Sequence, residues 1–237
     1  MPSDLQVVSL EQHSLRHWKL GESGSSAKEA NAIEIDPSGD AFSAVAWDPH
    51  PTSDNSDLLA TGVGRDVKIW DLRARRAEKE SICIPKAHAQ TVKSMDYNPD
   101  RLHMLLTGGE DGVLKFWDVR KTQEPMKTVR GHSHWVNSIK HNNIYDQLIL
   151  SAGTDNVVKL WKMISVSSVV TSEEYLEAES GQEAEPQEDG LIQTYTEHDD
   201  SIYSVAWGDA WVFASLSYDG KLVVNQVPSA EKYSILL

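Results

Sequence analysis

Histidine, a hydroxyl residue and aspartate recur along this chain at fixed distances, a set that can perform nucleophilic catalysis or hold a buried hydrogen-bond network. His88, Thr107 and Asp111 form one set, His132, Ser151 and Asp155 a second, and His198, Ser215 and Asp219 a third. The aspartate follows the histidine by 23, 23 and 21 residues, and the hydroxyl residue stands four before the aspartate each time. Catalysis needs one exposed nucleophile, whereas three near-copies point to a structural unit used three times. Trp117 and Trp161 complete the first two sets, and Asn225 takes that place in the third, so the last set is expected to hold its network less well. No G-x-S-x-G elbow, phosphate-binding glycine loop or H-E-x-x-H stretch is present. The residues offer no catalytic, metal or cofactor site, and the chain reads as a non-enzyme.

The elements that must position these sets are themselves repeated. Residues 58–73 (LLATGVGRDVKIWDLR), 105–120 (LLTGGEDGVLKFWDVR) and 148–162 (LILSAGTDNVVKLWK) each give an apolar strand, a turn with Asp or Gly, and a second strand ending in Trp. The steps between Trp70, Trp117 and Trp161 are 47 and 44 residues, close to the roughly 40 to 45 of one four-stranded propeller blade. The fold class that follows is all-β, a WD40 β-propeller. Its expected layout is one domain over 1–237, with a partial blade at 1–22 and blades at 41–80, 87–127, 131–170 and 194–237. That makes roughly 4.5 to 5 blades, read as a partial ring rather than one that closes unusually small. The 41–80 blade has no histidine before Phe42 and a turn one residue shorter, which is expected to leave Thr61 and Asp66 out of register.

Between the last two blades lies an excess of residues, read as a disordered acidic insertion over 171–193. Eight of the fourteen net negative charges sit at 173–190, with no Lys or Arg among them, a composition that cannot repay the entropy of ordering. The formal net charge of −14 argues against nucleic acid as a partner, since that binding rests on cations at phosphates. The single cysteine, Cys83, excludes an internal disulfide and fits a reducing compartment. The first twenty residues show no sustained apolar run, and no stretch is apolar enough to span a bilayer, so direct membrane insertion is not expected.

In a propeller the blade-histidine loop and the blade-aspartate turn open on one face. Gln90, Thr91, Glu110, His134, Trp135, Thr154, Asp200, Ser201 and Tyr218 are therefore expected to share a partner-binding face. Trp135 stands where the other repeats have Thr91 and Ser201, so blade packing does not demand an indole there. It is either an interface anchor or a side chain folded onto a neighbouring blade. Arg73 and Arg120 end two W-D-x-R stretches, which resemble those of WD40 substrate receptors of cullin-RING ubiquitin ligases and give an alternative reading as such a receptor.

Three stretches are more particular than a generic repeat: GHSHWVNSIKHNNIYDQLILS (131–151), TYTEHDDSIYSVAWGDAWVFASLSYDGKLVVNQVP (194–228) and the closing KYSILL (232–237). They resemble the family of WD-repeat proteins that interact with the endosome-associated recycling protein (EARP) and Golgi-associated retrograde protein (GARP) tethering complexes. The resemblance implies a seven-bladed parent, of which this chain matches roughly the last two-thirds. It also implies a non-catalytic adaptor for vesicle tethering in endosomal recycling and endosome-to-Golgi transport. Its expected partners are tether subunits, and its expected place is cytoplasmic, peripheral on endosomes and the trans-Golgi network.

Overall fold

Short runs rich in β-branched, aromatic and aliphatic residues, separated by Gly, Asn and Asp turns, leave little choice but strands. The computed structural model describes residues 6–21, 26–50, 58–72, 80–169 and 188–236 and holds eighteen strands in five antiparallel sheets. The chain divides into two compact units, Met1–Val92 and Lys93–Leu237.

The first unit carries two sheets. One is β1 (Gln6–Leu10), β2 (Ser14–Leu20) and β3 (Ala27–Glu34); the other is β4 (Phe42–Trp47), β5 (Leu58–Val63), β6 (Asp66–Asp71) and β7 (Glu80–Ile84), each in that order. Leu15, Ile33, Phe42, Leu59, Trp70 and Leu72 form its buried cluster. The first sheet extends to Glu34, beyond the expected limit at residue 22, because Ala27–Glu34 pairs with β2 along its whole length. The expected register fault is corrected for Thr61, while Asp66 opens β6 opposite Val63, unlike Asp111, which precedes β10. Thr61 pairs with Lys68 and Leu59 with Trp70, as Thr107 pairs with Lys115 and Leu105 with Trp117. The missing residue is taken out of the hairpin tip, where Gly64 adopts φ 55°, so the strands keep their alignment.

In the second unit, β8 (Val92–Tyr97), β9 (Met104–Gly109), β10 (Val113–Asp118) and β11 (Lys127–Arg130) form one sheet. A second is β12 (Val136–His141), β13 (Leu148–Gly153), β14 (Val158–Lys162) and β15 (Gly190–Tyr195). The third has three strands, β16 (Ile202–Trp207), β17 (Val212–Ser217) and β18 (Leu222–Gln226), followed by the helix α1 (Ser229–Leu236). Strand β15 moves two expected boundaries. Residues 190–193 are strand, and that strand completes the sheet begun at residue 136, so the acidic insertion interrupts a sheet between its third and fourth strands. Its core, 170–187, lies outside the described residues. The return is fixed by Asp189, which accepts hydrogen bonds from the Ser165 backbone N–H at 2.9 Å, the Ser165 hydroxyl and Lys127.

Period-two alternation sends successive residues of one strand to opposite sheet faces. Ile149 of β13 therefore joins Leu106, Phe116, Val136, Ile139 and Trp161 between the first two sheets of this unit. Its neighbours Leu148, Leu150 and Ala152 pack the other way, with Leu160, Ile202, Val205 and Phe213. Polar seams repeat beside these layers: Ser94 Oγ accepts the Ile139 N–H and Ser138 Oγ the Val205 N–H, both at 3.1 Å.

Candidate functional site

Each buried network is built by a loop, a strand and a turn. At the middle sheet of the second unit, His132 Nδ1 lies 2.9 and 3.0 Å from the two Asp155 oxygens, and Nε2 lies 2.7 Å from Ser151 Oγ. Trp161 Nε1 donates to the same Oγ at 2.8 Å. The carboxylate can only accept, so it fixes the proton on Nδ1 and leaves Nε2 to accept the serine hydroxyl. The arrangement has the connectivity of a catalytic triad, yet Ser151 is 0% exposed and its oxygen is occupied by the indole. No substrate atom can reach it. Burial alone would raise the Asp155 carboxyl, but the His132 hydrogen bond, the Ser133 N–H and the Lys159 charge outweigh it and hold it below the usual value.

The last sheet repeats the set with its outer partner lost. His198 bridges Asp219 at 3.2 Å and Ser215 at 2.8 Å, while Asn225 stands at the tryptophan position with its Nδ2 buried and, among the described residues, without a hydrogen-bond partner. Burial is again outweighed at Asp219, whose carboxyl is lowered to about 2 by the Asp199 and Lys221 N–H groups and by His198. In the first sheet of the second unit Trp117 donates to Thr107 Oγ1 at 3.0 Å, and Asp111 accepts the Val113 N–H at 3.2 Å. His88 is buried in the first unit. Trp70 donates to Thr61 Oγ1 at 2.8 Å, so that blade keeps a hydroxyl–indole link.

The turns that hold these aspartates also shape the surface. Gly112 (φ 73°), Asn156 (φ 63°) and Gly220 (φ 78°) occupy the same left-handed turn position, which Gly and Asn adopt at low cost. Glu110, Thr154 and Tyr218 precede the three aspartates, and the second residue of each inner strand, Lys93, Asn137 or Tyr203, takes a different partner. Lys93 pairs with Glu110 at 3.8 Å. Asn137 and Tyr203 stand at bulges, where β12 and β16 slip past their neighbours, and a bulge re-aims its side chain. Asn137 Nδ2 donates to the Ile202 carbonyl at 2.9 Å. Tyr203 instead meets Tyr218, with ring centroids 5.0 Å apart.

Of the expected face, direct bonds join His134, Trp135 and Thr154 to one another and Asp200, Ser201 and Tyr218 to one another, all in the second unit, while Glu110 is linked to Trp135 through Lys93. His134 Nδ1 contacts the Thr154 hydroxyl, Thr154 N–H donates to the Trp135 carbonyl at 3.0 Å, and Tyr218 N–H to Ser201 O at 3.0 Å. Gln90 is exposed and Thr91 half-buried in the first unit. The Trp135 ring lies under the Lys93 ammonium, 5.5 Å from the centroid, and remains 39% exposed. Tyr203 was not expected; the signal for it was an aromatic where the other inner strands carry Lys93 and Asn137. Arg120 is closed in a bidentate pair with Asp118, at 2.9 and 2.7 Å, which lowers that carboxyl to about 2. Arg73 lies outside the described residues. No described helix is long and apolar enough to cross a membrane.

Comparison with known proteins gives these features a family. An "EARP-interacting protein homolog" from Gekko japonicus is 40% identical over 98% of this chain, and the human "EARP and GARP complex-interacting protein 1" is 38% identical over the same share. The chain spans 62% of the length of either relative. A plant protein, "WD repeat-containing protein DWA2" from Arabidopsis thaliana, is 36% identical over 94% of the chain and 59% of its own length. The profile of the WD domain, G-beta repeat, matches residues 190–224. The sheets, the His132–Ser151–Asp155–Trp161 network with its partial copies, and a match of the EIPR1 beta-propeller profile over residues 3–161 together show that the chain belongs to the EIPR1 beta-propeller family.

Proposed function

We propose that this chain is a non-catalytic adaptor that binds subunits of EARP- and GARP-type tethering complexes, in endosomal recycling and endosome-to-Golgi transport. It would act in the cytoplasm, peripherally on endosomes and the trans-Golgi network. The names of the gecko and human relatives supply the partner class. The observation that carries the site is Trp135, an indole left 39% exposed where the equivalent positions of the other repeats carry Thr91 and Ser201. Exposed aromatics fixed on rigid elements are the usual energetic anchors of protein interfaces. Here the ring is fixed by Lys93, by His134 at 5.2 Å, and by the hydrogen bond of its own carbonyl to Thr154.

Affinity purification of the chain from cells, read by mass spectrometry, tests the proposal. Tether subunits should be recovered with the native chain and reduced about tenfold or more with Trp135→Ala, the loss expected of an interface anchor. Equal recovery by a folded Trp135→Ala chain would remove this face from the proposal. The ubiquitin-ligase reading has less support, because both arms of the Arg120 guanidinium that face its motif are bound to Asp118.

A further inference from the structure

One stretch of the second unit carries exposed aromatic surface beside unbalanced negative charge. Tyr203 is 44% and Tyr218 71% exposed, and they occupy the positions that Lys93 and Glu110 fill with an ion pair two sheets earlier. Nothing in the packing of a sheet asks for two phenol rings there. Asp200 follows the same loop: its carbonyl accepts the Ser217 hydroxyl at 2.8 Å, and one carboxylate oxygen accepts the Ser201 N–H at 2.6 Å. Among the described residues no cation pairs with that carboxylate, whereas the adjoining Asp199 is already bound to Lys221.

We infer that the Tyr203–Tyr218 pair and Asp200 form a docking surface for an arginine of an extended segment of a partner protein. Electron-rich ring faces attract a cation, and a guanidinium is the cation that can lie flat on a ring while its edge meets a carboxylate. A lysine ammonium offers no such plane, and a neutral or acidic segment would meet the uncompensated charge of Asp200. The inference rests on the reading of this face as the partner face and specifies its chemistry.

The test is a fluorescence-anisotropy titration of the full chain with a short labelled peptide of alternating arginine and serine. Matched peptides carry lysine, or the uncharged isostere citrulline, in place of arginine. The arginine peptide should bind several-fold more tightly than the lysine peptide, and the citrulline peptide most weakly. The double substitution Tyr203→Ala with Tyr218→Ala should weaken arginine binding by about fivefold, the fold-change of a solvent-exposed cation–π contact. Replacing both by Phe should preserve binding, and Asp200→Asn should weaken it and flatten its salt dependence.

Equal binding of the citrulline and arginine peptides overturns the inference. So does unchanged arginine binding by the alanine variant, which would assign the attraction to the chain's overall net charge of −14. If the alanine variant melts early, the decision passes to Asp200→Asn, whose unchanged affinity would equally overturn it. The probe contains no tether subunit. Loss of peptide discrimination with intact tether capture counts against the arginine assignment, and the converse result counts against the adaptor reading.

Discussion

A hydroxyl shared by a histidine and an indole is the smallest unit on which these sheets depend. Ser151 satisfies His132 and Trp161 at once, so Ser151→Ala leaves two buried polar groups without a partner. The expected cost is about 2 to 5 kcal/mol, read as a fall in denaturation midpoint with no change in slope. The depressed carboxyl of Asp155 adds a pH dependence. A carboxyl lowered on folding contributes stability that is present above its unfolded value of about 4 and lost as pH falls through the folded value. Asp155→Asn should therefore melt below the native chain at neutral pH, with the gap closing as acid protonates Asp155 in the native chain; a gap constant from pH 7 to 3 would contradict this. The histidines, hydroxyls and aspartates of these sets were legible in the sequence because they recur. Tyr203 was not, since its importance lies in what it touches.

At the scale of the element, the turns decide where side chains emerge. Gly112 combines φ 73° with the His132 carbonyl 2.6 Å from where a Cβ would lie, so Gly112→Ala must both strain the turn and push the loop away. A loss of at least about 2 kcal/mol is expected. Asn156→Gly at the matching turn should stay within about 1 kcal/mol of the native chain, because glycine accepts that conformation freely; thermal melts of the pair check the contrast. The hairpin tips also explain why the short turn before Trp70 mattered less than its length implied. A residue removed at a tip changes the turn type, while cross-strand pairing is held by the apolar face along the strands. Strand β15 shows the opposite limit: its membership follows from the clasp at Asp189 and from pairing with β14, across eighteen residues, 170–187, whose composition carries no strand signal.

Across the whole molecule, equivalent positions meet different fates. Leu160 is fully buried against the next sheet, whereas its counterpart in the last sheet, Val224, is 59% exposed. Leu160→Ala is expected to cost about 2 to 5 kcal/mol, and Val224→Ala less than about 1 kcal/mol. Chemical denaturation of the two variants distinguishes these cases, and similar losses would mean that Val224 is covered in solution. The last sheet's three strands and exposed aliphatic face belong to a chain spanning 62% of the length of its gecko and human relatives.

The amino-acid sequence by itself determined the repeat, the strand–turn–strand unit, the spacing of the His, hydroxyl and Asp residues and the substitution of Asn225 for tryptophan. These are local properties, set by period-two alternation, turn chemistry and fixed spacing, and repetition makes them readable. Only the tertiary structure decided that the acidic insertion interrupts a sheet, that Trp135 rests under Lys93 yet stays open to solvent, and that Tyr203 turns onto Tyr218. Each of these depends on contacts between strands and loops distant in the chain, where the outcome is fixed by which surfaces are left after the sheets have packed.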